Sequence, residues 1–476
     1  MPRRSTSGAP WLLLPVETKA REFHAKLLLG ALAVERGYSV VLGEQNAMVR
    51  QLAHLPRGLY IDKSVAATKT SHFQRLRQRG NKVAAWCEEG LVYRDREAYL
   101  QQRVAPAALA QVERFFCWGD VQQEDIAGRV DGLNGGRNGG RNGGLSDGLG
   151  DKLSDKLVAT GNPRFDLLRT GYRELFTMET QALGKQYGDF ILINTNFARY
   201  NHFHGEDNLL AVQRQRGIVE TGAEEDFLLA WRDFLGQMYH AFAAMLEPLS
   251  RAFPDHQIIL RPHPSENHER WRDECSGLDN VRVVFEGNVV PWLQAARVLI
   301  HNSCTTGLEA RLMDRPVIAY RPVRSDVYDS HLPNIVSRQV DDIGALIQTV
   351  DEALAGADVN GGAAGEAAAA QYYAAMDGAS ASERVLDVID QMDLNLAQPS
   401  GRGHRLGLAS GYIRIPARDL ARRILRPGAS AYGRQKFPGL DRDEIQQELI
   451  KLGAASGRFA GVRVSPLAHQ CYSLAA

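Results

Sequence analysis

The 476-residue sequence predicts an α/β protein: two successive parallel-sheet domains facing across a cleft, then a mostly helical C-terminal extension. Three observations lead there. Short apolar runs alternate with stretches of helical spacing, the rhythm of strand–helix–strand units. That rhythm breaks and restarts once, near residue 185. Most apolar runs also stop abruptly in glycine and polar residues, as strands do where they leave a sheet.

The elements follow in order. WLLLPV (11–16) reads as a buried strand, 19–36 as a helix with Thr18 placed to cap it, and YSVVLG (38–43) as the next strand. GLYIDKS (58–64), KVAAWCEEG (82–90), RFFCWGD (114–120) and KLVATGNPRFD (156–166) continue the pattern and complete a first domain over 10–182. Inside it, 131–150 is rich in glycine with GGRN repeated. Glycine at that density does not repay the entropy of ordering, so a flexible surface loop is expected. DFILINTN opens the second domain, 185–356, followed by a long helix over about 223–248. HQIILRPHP, VRVVFEG, ARVLIHN and RPVIAYRP are its further strands, and 341–356 is its closing helix. The extension, 357–476, mixes helices with the basic stretch ARDLARRILRP.

Bulk properties narrow the function. Lys+Arg and Asp+Glu are both 56, which gives no footing for nucleic acid as a partner. Five scattered cysteines with no CxxC pair suit a reducing compartment. The N-terminal apolar run is too short for a signal peptide or a span. A cytoplasmic protein is expected, with peripheral contact at the inner membrane face through Arg and apolar residues at 409–426.

Chemistry is concentrated at strand exits, where open α/β sheets bind ligands. In QIILRPHPSEN (257–267), Arg261 brings a permanent charge and His263 a donor on a backbone stiffened by Pro262 and Pro264. Such a group suits a departing phosphate, and Glu266 is placed to orient the imidazole or to carry solvent-facing charge. In HNSCTTGLEARLM (301–313), Ser303, Thr305 and Thr306 are small donors before a helix. They suit a phosphate, or cap the helix, and Glu309 suits a ribose. No Walker loop occurs. In the first domain, Glu17 and Glu89 at strand exits are candidate bases or nucleophiles. Lys63 and Arg21 are candidates to hold an acidic substrate, and Asn194 closes a strand at the interdomain side. Glu22 and Lys26, four residues apart, read as a surface ion pair or a site pair. The H-x-H of His202 and His204 lacks further ligands by sequence, so no metal site is assigned. Cys304, with no base near it in sequence, is expected to pack.

LPVETKAREFHAKLLLG, CEEG, TGNPRFD, LRPHPSE, HNSCTTGLEA and KFPGL together resemble bacterial surface carbohydrate biosynthesis proteins, within the two-Rossmann glycosyltransferases of the GT-B fold. The likeness covers about 11–345, and 430–445 weakly. The HP motif and the later Ser/Thr motif are similar to those of CMP-sugar transferases of the sialic acid and Kdo type. Teichoic-acid polymerases using CDP-glycerol show a similar Arg-x-His-Pro pattern. The resemblance implies a cytidine nucleotide in the C-terminal domain, with His263, Ser303, Thr305 and Thr306 at the phosphate and Glu309 at the ribose. The expected activity is transfer of Kdo or a related nonulosonic acid from a CMP donor to a surface glycan or glycolipid, with no cofactor beyond the donor. Alternatives are a CDP-glycerol or polyol-phosphate transferase, a sugar-nucleotide epimerase, and a non-enzymatic assembly factor.

Overall fold

A computed structural model of the chain describes residues 8–132, 149–205, 210, 213–214, 219, 221–400, 402–425 and 427–476. The loop expected at 131–150 thus lies, over 133–148, outside the described residues. The chain forms two compact units. The first comprises residues 1–91, 96–175 and 371–476; the second comprises 92–95 and 176–370.

The first unit is built on eight strands. Six are parallel: β1 (Trp11–Val16), β2 (Ser39–Glu44), β3 (Leu59–Asp62), β4 (Lys82–Trp86), β5 (Arg114–Cys117) and β6 (Leu157–Ala159). They lie in the order β2-β1-β3-β4-β5-β6. Their near-continuous apolar sequences are those of strands covered on both faces, and Leu12, Leu13, Leu14, Tyr60 and Phe115 are fully buried.

The C-terminal segment is helical over much of its length but ends in strands that the sequence did not announce. A hairpin of β13 (Arg463–Ala468) and β14 (Cys471–Ala475) joins the sheet, β14 pairing antiparallel with β2. The register sets Cys471 opposite Gly43, where a β-carbon would stand 2.4 Å from the Gln470 carbonyl. Glycine at 43 therefore lets the hairpin dock. From residue 371 onward the extension belongs to this first unit.

The second unit has six parallel strands: β7 (Ile191–Asn194), β8 (Ile258–Arg261), β9 (Val281–Val283), β10 (Val298–His301), β11 (Val317–Tyr320) and β12 (Arg338–Val340). Their order is β9-β8-β7-β10-β11-β12, the doubly wound order whose direction reverses between its first and fourth strands. The reversal falls between β7 and β10. The long helix Gly222–Ala252 opens with a capping box of Thr221 and Glu224 and packs Tyr239, Phe242 and Leu246 into the core. Two doubly wound units in succession are the make-up of the GT-B class.

Candidate functional site

The reversal point brings the exits of β8, β7 and β10 together. Asn194, the last residue of β7, pairs in register with Arg261 of β8 on one side and His301 of β10 on the other. The exits of β8 and β10 are therefore about 10 Å apart across β7, two strand spacings. The residues after β7 tie both down. The Asn196 N–H donates to Asn302 Oδ1 (2.8 Å) beyond β10. On the other side, Thr195 Oγ1 and the Phe197 N–H donate to Glu266 Oε1 (2.9 and 3.0 Å).

Glu266 is fully buried and organises the RPHPSE turn. Besides the β7 donors it accepts the His263 N–H (3.1 Å) on Oε1 and the Trp271 indole N–H (2.7 Å) on Oε2. Burial raises its pKa, and those hydrogen bonds oppose the rise. It thus carries no solvent-facing charge; it holds backbone N–H groups, a hydroxyl and an indole. The ring of His263 is set by the Ser265 N–H, which donates to Nδ1 (3.2 Å). That bond leaves the neutral ring's proton on Nε2, the nitrogen that donates.

Arg261 is buried, and no carboxylate ion-pairs with it among the described residues. Its guanidinium lies over the Trp292 ring (4.9 Å to the centroid) and reaches the carbonyls of Glu286 and Gly287 at 3.3 Å, beyond the usual hydrogen-bond range. Burial pulls it down to about 9, so it remains charged at neutral pH. A buried cation held by ring faces and two weak carbonyl contacts, with no carboxylate ion-paired to it among the described residues, favours an anion arriving from outside.

The β10 exit is built around His301. Its Nδ1 accepts the Cys304 N–H (3.2 Å), so Nε2 carries the proton toward Ser337 Oγ (2.9 Å). Full burial lowers the imidazole pKa to about 3, keeping it neutral. A β-carbon on Gly307 would stand 2.5 Å from that ring, so glycine lets the helix Thr305–Arg311 close over it. Ser303 has φ 55°, a left-handed conformation rare for serine, and exchanges hydrogen bonds with Asn334 (2.9 and 3.2 Å). Capping by Thr305 or Thr306 does not occur: Cys304 is the N-cap residue and no side chain caps the helix. Thr306 Oγ1 and Asn194 Oδ1 are buried and make no hydrogen bond among the described residues. Glu309 is buried in the same helix at 3% exposure.

The first unit carries its own polar cluster at the exits of β1, β3 and β4. Glu17 bonds Lys63 at 2.5 Å and Lys436 at 3.2 Å. Burial alone would raise its pKa, but the two ammonium groups draw it down to about 2. Glu22 and Lys26 pair at 2.6 Å and are buried, not a surface pair. Glu22 also accepts the N–H groups of Glu17 and Thr18 (3.1 Å each), which replaces capping by the Thr18 side chain. Arg21 donates to Glu89 Oε1 (2.7 Å) and to the Glu88 carbonyl (3.0 Å). Despite the cost of burial, Glu89 and Glu88 raise the Arg21 pKa. Glu88 is buried, accepts the Trp86 indole N–H (2.7 Å) and lies 3.6 Å from Arg164.

The expected residues therefore fall into two groups. Asn194, Arg261, His263, Ser303, Thr305 and Thr306 lie at the strand exits of the second unit, and Glu309 lies buried a turn into the helix that follows β10. Glu17, Arg21, Lys63 and Glu89 share the cluster of the first, where both cations are engaged by carboxylates. Asn302, Asn334 and Lys436 carry no signal in the sequence, and Glu266, read there as orienting the imidazole or facing solvent, serves instead as the buried acceptor of the turn. Lys436 precedes the FPGL turn, and Lys19 ties that turn down through the Gly439 carbonyl (2.6 Å). His204 N–H bonds the His202 ring within one turn (3.1 Å), and no group of three His, Cys, Asp or Glu placed for a metal occurs among the described residues. The five cysteines, Cys304 included, are buried thiols.

No family model matches the chain, and no curated protein matches it. Its fold is similar to the UDP-GlcNAc 2-epimerase of Neisseria meningitidis bound to UDP-GlcNAc, with 12% identity over 80% of this chain and 100% of that one, TM-score 0.47. It is also similar to the wall teichoic acid polymerase TagF, with 9% identity over 81% and 89%, TM-score 0.49. A third similar structure is the UDP-GlcNAc 2-epimerase of Methanocaldococcus jannaschii, with 12% identity over 81% and 100%, TM-score 0.43. At such identities the likeness concerns the chain path alone.

Proposed function

We propose that the chain is an enzyme acting on a nucleotide-activated sugar or polyol, with the nucleotide phosphate seated at the reversal point of the second sheet. The observation that carries this reading is Arg261, a buried guanidinium with no carboxylate partner among the described residues, on the same sheet edge as the Nε2–H donor of His263 and the unbonded hydroxyl of Thr306. A phosphate meets each of their needs: it neutralises the guanidinium and accepts from imidazole and hydroxyl. His263 serves the oxygen that gains charge as the phosphate leaves.

Among the transfers open to such a site, passage of a polyol phosphate from a CDP donor stands ahead of passage of Kdo or a related acid from a CMP donor. Arg21 and Lys63, the cations expected to take the acid's carboxylate, are engaged by Glu89 and Glu17. CMP is the leaving group in both. Epimerisation of a nucleotide sugar is the second reading, favoured by the carboxylates Glu88 and Glu89 of the first unit, since moving a ring proton needs acid and base groups.

Calorimetry of the full chain with CMP, CDP, UDP and GDP tests the site. CMP is expected to bind, and His263→Ala to weaken it about tenfold, the value of one charge-assisted hydrogen bond. Indifference to the base overturns the cytidine assignment, and no binding by folded protein overturns the whole reading. Incubating UDP-GlcNAc or CDP-glycerol without acceptor separates the classes, because an epimerase converts the donor alone.

A further inference from the structure

The helix Arg402–Leu425 is unlike the rest of the chain. The whole sequence is neutral, yet this segment holds six arginines against one aspartate, a net of +5 in 24 residues. It also carries five of the eight large apolar side chains exposed among the described residues: Leu406, Tyr412, Ile413, Leu420 and Leu425.

Its inner face is fixed. Gly407 abuts the ring of His54 and Gly411 abuts Gln51 so closely that a β-carbon would stand 2.2 and 2.3 Å from them, and Ile415 beside them is buried. These residues are four apart and mark the side packed on the first unit. Leu406, Ile413 and Leu420, seven apart, mark an exposed stripe on another side of the helix, at 69%, 75% and 58% exposure. Arg414 and Arg418 are exposed as well. No described helix is long and apolar enough to cross a membrane.

We infer that this helix lies in the plane of a lipid surface rich in anionic headgroups. An apolar stripe among arginines is what such a surface binds: the stripe enters the boundary of the acyl chains, and the guanidinium groups meet the phosphates. A second copy of the chain is disfavoured by charge, because two such helices face to face set +5 against +5. Nucleic acid satisfies the charge but leaves the leucines and isoleucine in water. The inference rests on the helix alone and is independent of the nucleotide site.

Flotation of the full chain with vesicles tests it. Binding to vesicles containing a third phosphatidylglycerol is expected to exceed binding to pure phosphatidylcholine at least about tenfold, and to fall with salt. The triple variant Leu406→Ser, Ile413→Ser, Leu420→Ser and the double variant Arg414→Glu, Arg418→Glu are each expected to lose about tenfold or more, with an unchanged melting temperature and nucleotide affinity. Equal binding to both vesicles, or to neither, overturns the inference. So does a wild-type dimer in sedimentation that the triple variant abolishes, since the stripe then joins two copies.

Discussion

Glu266 fixes the geometry of the second site without being placed at the anion. One buried carboxylate collects a hydroxyl, two backbone N–H groups and an indole, and so locks the exits of β7 and β8 together. Glu266→Ala leaves those buried donors unsatisfied and is expected to cost roughly 2–4 kcal/mol in urea unfolding. In the first unit, Glu17 is held at about 2, well below its ordinary value. A carboxyl depressed on folding stabilises fully above its unfolded pKa, and that contribution is lost as pH falls. Denaturation followed from about pH 5 down to pH 2 should therefore show a loss that Glu17→Gln reduces, the depressed Glu22, Glu383 and Glu448 supplying the rest. A carboxylate so reluctant to take a proton is a poor base, so Glu17→Gln is expected to lower turnover by less than the roughly 10²-fold that loss of a general base costs. None of this is legible in one dimension. A glutamate after two prolines reads as an imidazole partner or a solvated charge, not as a buried acceptor of backbone N–H groups, and Lys436 reaches Glu17 from the other end of the chain.

Elements were legible in proportion to their burial. The parallel strands β1, β7, β8 and β10 are continuous apolar runs because helices cover both faces, and their polar exits stood out against them. β12, three residues long, and β13, with Ser465 and Pro466 inside it, are sheet-edge strands without such a run, and they went unseen. The glycine in HNSCTTG had a reason that no pattern states: it makes room for the His301 imidazole. Gly307→Ala should push that ring off Ser337 and lower stability by about 1–3 kcal/mol, read from the denaturation midpoint.

Each unit of the molecule has its own sheet and its own core. The second unit holds the proposed phosphate seat and the first does not. Calorimetric scanning is therefore expected to show two transitions, of which CMP raises one. At a hundredfold excess over the dissociation constant the gain is about 2.7 kcal/mol for the unit that binds. His263→Ala should flatten that response and leave the other transition in place. A single transition, or one in which both units respond alike, would count against separate units.

The hairpin on β2 also sets an order of events at the ribosome. Strands β1 to β6 are made first, but the edge beside β2 stays bare until residues as late as Leu474 have emerged to pair with Val40. The middle of the chain, 176–370, can finish folding while the opening segment still waits for its last strand. A nascent polypeptide stalled after residue 400 would carry a completed second sheet and an unfinished first one.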